Sequence, residues 1–193
     1  MKARIFLLFI FLSLTILSFS QRRDTHTSNK TGTDNSIGKT SFFAEAGGPG
    51  IAFSANIDTR FAMSRLGWGI RGGVGFVSSY NDNYSPTIGF YGGDQQSAFT
   101  VPVQLNYIFG KSNSPHSFEV GAGGTYISKK LTIMDFYYYG AGHDRRTQFF
   151  GTFSFMYRRQ PVNGGFSWRA GFTPLFAKGL IQPFGAVSLG YNF

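Results

Sequence analysis

Residues 99–109 read Phe-Thr-Val-Pro-Val-Gln-Leu-Asn-Tyr-Ile-Phe. In an extended chain, Phe99, Val101, Val103, Leu105, Tyr107 and Phe109 share one face, and Thr100, Pro102, Gln104 and Asn106 share the other. Successive side chains of a strand point to opposite faces, so the alternation predicts a strand that is apolar on one side and polar on the other. Pro102 lacks an N–H and predicts a bulge or local break in that strand.

The same period of two recurs on both sides of this stretch. Phe149, Phe153, Phe155 and Tyr157 oppose Gln148, Thr152, Ser154 and Arg158; Phe166, Trp168, Ala170 and Phe172 oppose Ser167, Arg169, Gly171 and Thr173. Phe118, Val120, Ala122 and Tyr126 oppose Ser117, Glu119, Gly121, Gly123 and Thr125. Strands are predicted at 41–47, 50–60, 68–78, 97–109, 116–128, 146–158, 165–175 and 183–193. The connections 61–67, 110–115 and 159–164 are short, whereas 79–96 and 129–145 are long; 48–49 and 176–182 are short exceptions among the latter set. An even strand count with this length parity predicts an all-β chain, an eight-stranded antiparallel up-and-down transmembrane β-barrel.

Composition narrows the class in the same direction. Of 193 residues, 18% are aromatic and only 14% charged, against about 25% charged in soluble proteins. With no Cys, disulfide frameworks and thiolate metal sites are excluded. Met1-Lys-Ala-Arg4, the apolar run Ile5–Leu17 and Ser18-Phe-Ser20 follow the order of a secretory signal peptide, expected at 1–20. Residues 21–40 read as a flexible polar leader, and 41–193 as the barrel domain. The formal charge is +9, or +7 once Lys2 and Arg4 leave with the signal.

The polar face decides which side meets lipid. It interleaves Gly73, Gly75, Gly121, Gly123 and Gly171 with Glu45, Asp58 and Glu119 and with Arg60, Arg71, Arg158 and Arg169. A water-facing exterior would carry far more Lys and Glu. Small residues beside opposite charges suit a narrow lumen in which those seven charged residues form an ion-pair network. The aromatic face then turns to lipid.

The C-terminal Gly185-Ala-Val-Ser-Leu-Gly-Tyr-Asn-Phe193 ends in aromatic-x-Phe, and Tyr191 and Phe193 resemble the signal by which outer-membrane barrels are recognised for assembly. The stretches AEAGGPGIAFSANIDTRF, WGIRGGVGF, VPVQLNYIFGK, FEVGAGGTYIS and GGFSWRAGFTPLF resemble strand motifs of the small outer-membrane β-barrel domain proteins, similar in architecture to the OmpA and OmpX type. That resemblance implies a bacterial outer-membrane location and a barrel-assembly machinery as partner during insertion. It implies no particular reaction.

Outside the lumen the readings are fewer. Lys129, Lys130, Arg145, Arg146 and Lys178 cluster at the outer strand ends beside Tyr137, Tyr138 and Tyr139, a pattern expected to contact lipopolysaccharide phosphates or an external partner. His26, His116 and His143 are scattered and make no metal site. The reading is therefore of a monomeric, cofactor-free, non-enzymatic barrel with a structural, adhesive or envelope-interaction role, bound to outer-membrane lipid and not to nucleic acid. Two alternatives stand beside it: a lipid-modifying enzyme using loop residues near His143, and a secreted soluble ligand-binding barrel.

Overall fold

The computed structural model describes residues 38–131 and 147–193, apart from 86, 88 and 178. The signal and most of the leader expected at 1–40 lie outside them. Ten strand segments follow in order: β1 (Thr40–Gly47), β2 (Phe53–Arg60), β3 (Gly67–Ser85), β4 (Gly89–Gly110), β5 (His116–Leu131), β6 (Thr147–Arg159), β7 (Gly165–Phe172), β8 (Leu175–Ala177), β9 (Leu180–Gln182) and β10 (Gly185–Asn192). Each pairs antiparallel with its neighbours, β5 pairs with β6, and β1 pairs with β10, so the sheet closes on itself.

The ten segments make eight staves. β6 pairs Phe155↔Phe172 on β7 and Thr152↔Leu175 on β8 in one unbroken register. Between them only Thr173 and Pro174 depart from strand geometry, and the Pro174 carbonyl still accepts from Phe153 N–H at 3.2 Å. The last stave is interrupted in the same way at Pro183 and Phe184, where Thr173 N–H donates to the Phe184 carbonyl at 2.7 Å. Prolines remove donors without moving the register. Pro102 behaves likewise: β3–β4 pairing runs to Gly72↔Val103 and resumes at Gly75↔Thr100 without a shift. The interruption there is a local break, not a bulge.

Closure joins the two chain ends of the barrel. Ser41 pairs with Asn192, and Thr40 and Phe193 exchange backbone hydrogen bonds of 3.2 and 2.9 Å. That rim, with the connections 61–66, 111–115 and 160–164, is the turn end; the opposite rim is the loop end.

Two predicted connections are strand: in 176–182, Phe176 and Ala177 of β8 pair with Ile181 and Leu180 of β9. The long loop predicted at 79–96 is a ribbon: β3 and β4 continue past Ser78 and pair to Ser85↔Gly89, with an irregularity between Asp82 and Tyr84. Ser78, Ser79, Gln95, Gln96 and Ser97 lie in it, and Gln95 Nε2 and Ser97 Oγ donate to Ser78 Oγ. With polar residues at successive positions in Ser78-Ser79 and Gln95-Gln96-Ser97, the ribbon loses the period-two signal while keeping the ladder. β5 also continues to Leu131, three residues past its predicted end, through an irregularity after Tyr126.

The outer surface is apolar where the alternation predicts it. Phe99 is 71% exposed, and Val103, Leu105, Phe118, Phe153, Phe155, Val187 and Leu189 are exposed with it. Near the turn end the rings touch in pairs: Trp68 with Tyr107 at 5.2 Å, Tyr107 with Phe109 at 4.5 Å, Phe118 with Tyr157 at 5.7 Å and Tyr157 with Trp168 at 5.3 Å. Along β4 the outward residues from Phe99 to Phe109 cover about 33 Å at ~3.3 Å per residue. Tilted by roughly 40°, they form a band about 25 Å tall, the height a membrane barrel presents to lipid.

Candidate functional site

The interior is built from alternate residues of every stave and has two levels. From the turn end to mid-barrel it is polar. Glu45, Asp58, Arg60, Arg71, Glu119, Arg158 and Arg169 are all at most 2% exposed and lie in one connected network. Arg158 is its hub: Nη1 reaches Asp58 Oδ2 at 2.7 Å and Glu119 Oε2 at 3.0 Å, while Nη2 donates to Ser41 Oγ at 2.9 Å. Arg169 Nη1 lies 3.2 Å from the same Glu119 oxygen, and its Nε donates to Ser188 Oγ at 2.9 Å. Arg71 Nη1 donates to Glu45 Oε2 at 3.3 Å. Arg60 pairs with Asp58 and donates to Asn106 Oδ1 at 2.7 Å.

Two residues that carried no role in the sequence reading tie the charges together. Asn106 Nδ2 donates to Asp58 Oδ1 and to Glu119 Oε1 at 3.2 and 3.1 Å, bridging two carboxylates that would otherwise repel. Phe43 turns inward, and the Arg169 guanidinium carbon stands 3.4 Å from its ring centroid. A cation over an aromatic face is stabilised by the ring quadrupole, and more so away from water. Asn106 was legible as a polar-face residue of β4. Phe43 was hidden because β1 is apolar on both faces around it.

Glycines make the layer possible. A Cβ on Gly73 would stand 2.5 Å from the Ala55 carbonyl oxygen, with the Asn56 side chain occupying the space beyond. A Cβ on Gly123 would meet the Val103 carbonyl oxygen at 2.1 Å and Gln104 Cα at 2.6 Å, so the obstruction is backbone and cannot rotate away. The Gly123→Ala substitution is therefore expected to cost about 1–3 kcal/mol of folding stability, the usual effect of overpacking. Equilibrium unfolding in urea from detergent micelles or vesicles measures it, and an unchanged midpoint would mean the strands separate freely there.

The loop-end level is apolar, a feature the sequence reading missed. Val77, Ala98, Ile127, Leu131, Phe150 and Leu175 pack together inside the barrel, with Ile51, Ala177 and Phe184 against them. The connection Gly48–Gly50 folds inward over the lumen as a single 3-10 turn, with all three residues buried. Thr125 Oγ1 donates to the Pro49 carbonyl at 2.8 Å and Thr100 Oγ1 to the Gly50 carbonyl at 3.1 Å, pinning the turn to β5 and β4. Entering and leaving it requires the left-handed region: Gly47 and Gly48 have φ of 74° and 67°, and Ile51 takes φ 74°, which a β-branched residue rarely adopts.

Arg65 crosses the other end. It comes from the turn after β2 and is 6% exposed. Its guanidinium donates to the carbonyls of Gln160 at 3.2 Å, Lys111 at 2.8 Å, Ser112 at 3.1 Å and Ser114, so one side chain ties three turns across the opening. Burial, followed by repulsion from Arg158, lowers its pKa from the ordinary arginine value. No period marks a residue in a turn, so nothing in the sequence pointed to it.

The remaining candidates are at the surface or outside the described residues. Lys129 and Lys130 are exposed near the loop end of β5. Tyr191 and Phe193 point outward and stack at 6.4 Å. His116 Nδ1 is hydrogen-bonded to Tyr157 OH at the turn end. Tyr137, Tyr138, Tyr139, His143, Arg145, Arg146 and Lys178 lie outside the described residues.

No protein-family model matches the chain, and no curated protein matches its sequence. Two solved structures are similar to it. The N-terminal β-barrel domain of Pseudomonas aeruginosa OprF has a TM-score of 0.53 at 11% identity, over 81% of this chain and 99% of that one. The Yersinia pestis outer membrane protein Ail has a TM-score of 0.45 at 14% identity, over 81% of this chain and 99% of that one. At such identities the OprF likeness is one of fold: the chain has the architecture of the small outer-membrane β-barrels.

Proposed function

We propose that the chain is an integral bacterial outer-membrane barrel with a structural, adhesive or envelope-interaction role, and that its lumen is closed. The observation that carries this reading is the inversion of polarity: charges and amides inside, a tall apolar band with paired aromatic rings outside. Only a bilayer makes that distribution favourable, since water would reward the opposite one.

Three structures in series support closure. They are the Arg/Glu/Asp layer, the Gly48–Gly50 turn with the apolar level on its loop-end side, and Arg65 across the turn end. At the loop end, Lys129 and Lys130 supply cations at the height of lipid phosphates; together with Arg145, Arg146, Lys178 and Tyr137–Tyr139 they are proposed to contact lipopolysaccharide. The working unit is a monomer that needs no cofactor.

Two measurements test the reading. Membrane fractionation should place the protein in the outer membrane, and recovery as a detergent-free soluble monomer would end it. In planar bilayers the purified barrel should leave the baseline conductance unchanged. Steady, large open channels would reject the closed lumen.

A further inference from the structure

The charges of the lumen do not balance among the described residues. The network holds four guanidiniums, Arg60, Arg71, Arg158 and Arg169, against three carboxylates, Glu45, Asp58 and Glu119. Arg65 adds a buried cation at the turn end, where carbonyl dipoles receive it. A buried charge without a counter-charge is strongly disfavoured. The layer is one negative charge short.

The hydrogen bonds locate the shortfall. Arg71 is 1% exposed and donates to Glu45 through Nη1. Its Nε and Nη2, which together form the side edge of the guanidinium, have no hydrogen-bond partner. That edge receives a carboxylate or similar anion through two parallel N–H bonds. Gln104 stands opposite Arg71 in the β3–β4 ladder, and its Nε2 is also buried and unpartnered. Arg169 Nη2 is a further buried donor without a hydrogen bond, its nearest carboxylate oxygen being Glu45 Oε2 at 3.8 Å.

We propose that a small monovalent anion binds in the lumen against the Nε–Nη2 edge of Arg71, with the Gln104 amide as a second donor. Unpartnered acceptors are present in the same wall, namely Gln104 Oε1, Glu45 Oε1 and Asn56 Oδ1. Glu45 Oε1 lies toward the inward turn, 2.7 Å from where a Gly48 Cβ would stand, and Asn56 Oδ1 lies over Gly73. Neutral water would satisfy the hydrogen bonds of both kinds of atom, but it would leave the excess positive charge in place. An anion satisfies the unpartnered donors and the charge together, and leaves the acceptor oxygens to water. The route in rests on the closed lumen proposed above: the ion enters while the barrel folds.

The test uses bromide as the probe. The protein is unfolded, refolded in detergent with sodium bromide as the salt, and crystallised for diffraction at the bromine absorption edge. One anomalous peak is expected within hydrogen-bond distance of Arg71 Nε and Gln104 Nε2. Arg71→Met equalises the charges of the network, three against three, and should lose the peak. Gln104→Leu keeps every charge, removes one donor and should lower bromide occupancy at least twofold; it also serves if Arg71→Met does not refold. In solution, wild type refolded in bromide should unfold at a higher temperature than wild type refolded in gluconate, and the Arg71→Met midpoints should coincide. A lumen without a bromide peak, a peak that persists undiminished in both variants, or a wild-type midpoint indifferent to the anion would each overturn the proposal.

Discussion

Arg158→Ala is expected to destabilise the folded barrel by about 3–5 kcal/mol, the range seen when one partner of a buried ion pair is removed. The size follows from what is left behind. Asp58 and Glu119 both lose their contact with Arg158 Nη1, at 2.7 and 3.0 Å, and neither can reach water to recover solvation. Arg169 remains near Glu119 at 3.2 Å but only 4.0 Å from Asp58, so Asp58 is left leaning on Arg60 and Asn106. Urea unfolding followed by tryptophan fluorescence gives the loss, Trp68 and Trp168 being the two reporters. The double replacement Arg158→Ala with Glu119→Ala should cost less than the sum of the two singles, because it removes a charge of each sign. Additive losses would mean that the two side chains do not act as one network.

The second large effect tests the outer face. Val103→Arg places a charge midway along the apolar band of β4, at a side chain that is 48% exposed and points away from the lumen. If lipid surrounds that position, the change should cost about 2–4 kcal/mol in a bilayer, the figure for a cation near the midplane of a barrel wall. Val103→Leu at the same site should be nearly neutral, and an arginine nearer the rims should cost less. The reverse ranking, with Val103→Arg harmless, would place water outside the barrel and revive a soluble ligand barrel. Unfolding from phospholipid vesicles is the appropriate measurement, since detergent blurs the depth dependence.

The fold was legible where one face of a strand had to be apolar and the other polar. That condition holds along β2, β7 and the membrane part of β4, and there the alternation located the strands; it also faced inward the seven charged residues, which are spread over six strands. It fails above the band, where Ser78-Ser79 and Gln95-Gln96-Ser97 are polar at successive positions while β3 and β4 stay paired, so a ladder was read as a loop. It also fails where an inward position is apolar. Phe150 sits between Gln148 and Thr152 on the same side of β6, and only the fold reveals that it joins Ile127 and Leu131 inside. The inward turn at Gly48–Gly50 and the reach of Arg65 across the turn end depend on tertiary contacts between distant segments. Spacing along one chain carries no trace of these.

The seam between β1 and β10 has a kinetic consequence. Ser41 and Asn192 are adjacent in the barrel but stand at opposite ends of the domain in sequence, so this ladder is the contact of greatest chain separation. Bringing such distant segments together costs loop-closure entropy before any pairing compensates it, and topologies dominated by distant contacts fold slowly. Until the seam forms, both strands present unpaired N–H and C=O groups along a full edge, the template on which other chains aggregate. A newly made chain therefore passes through a sticky, ring-open stage whose lifetime depends on its two ends meeting. Whatever escorts it to the bilayer must shield those two edges in particular, and must release them together.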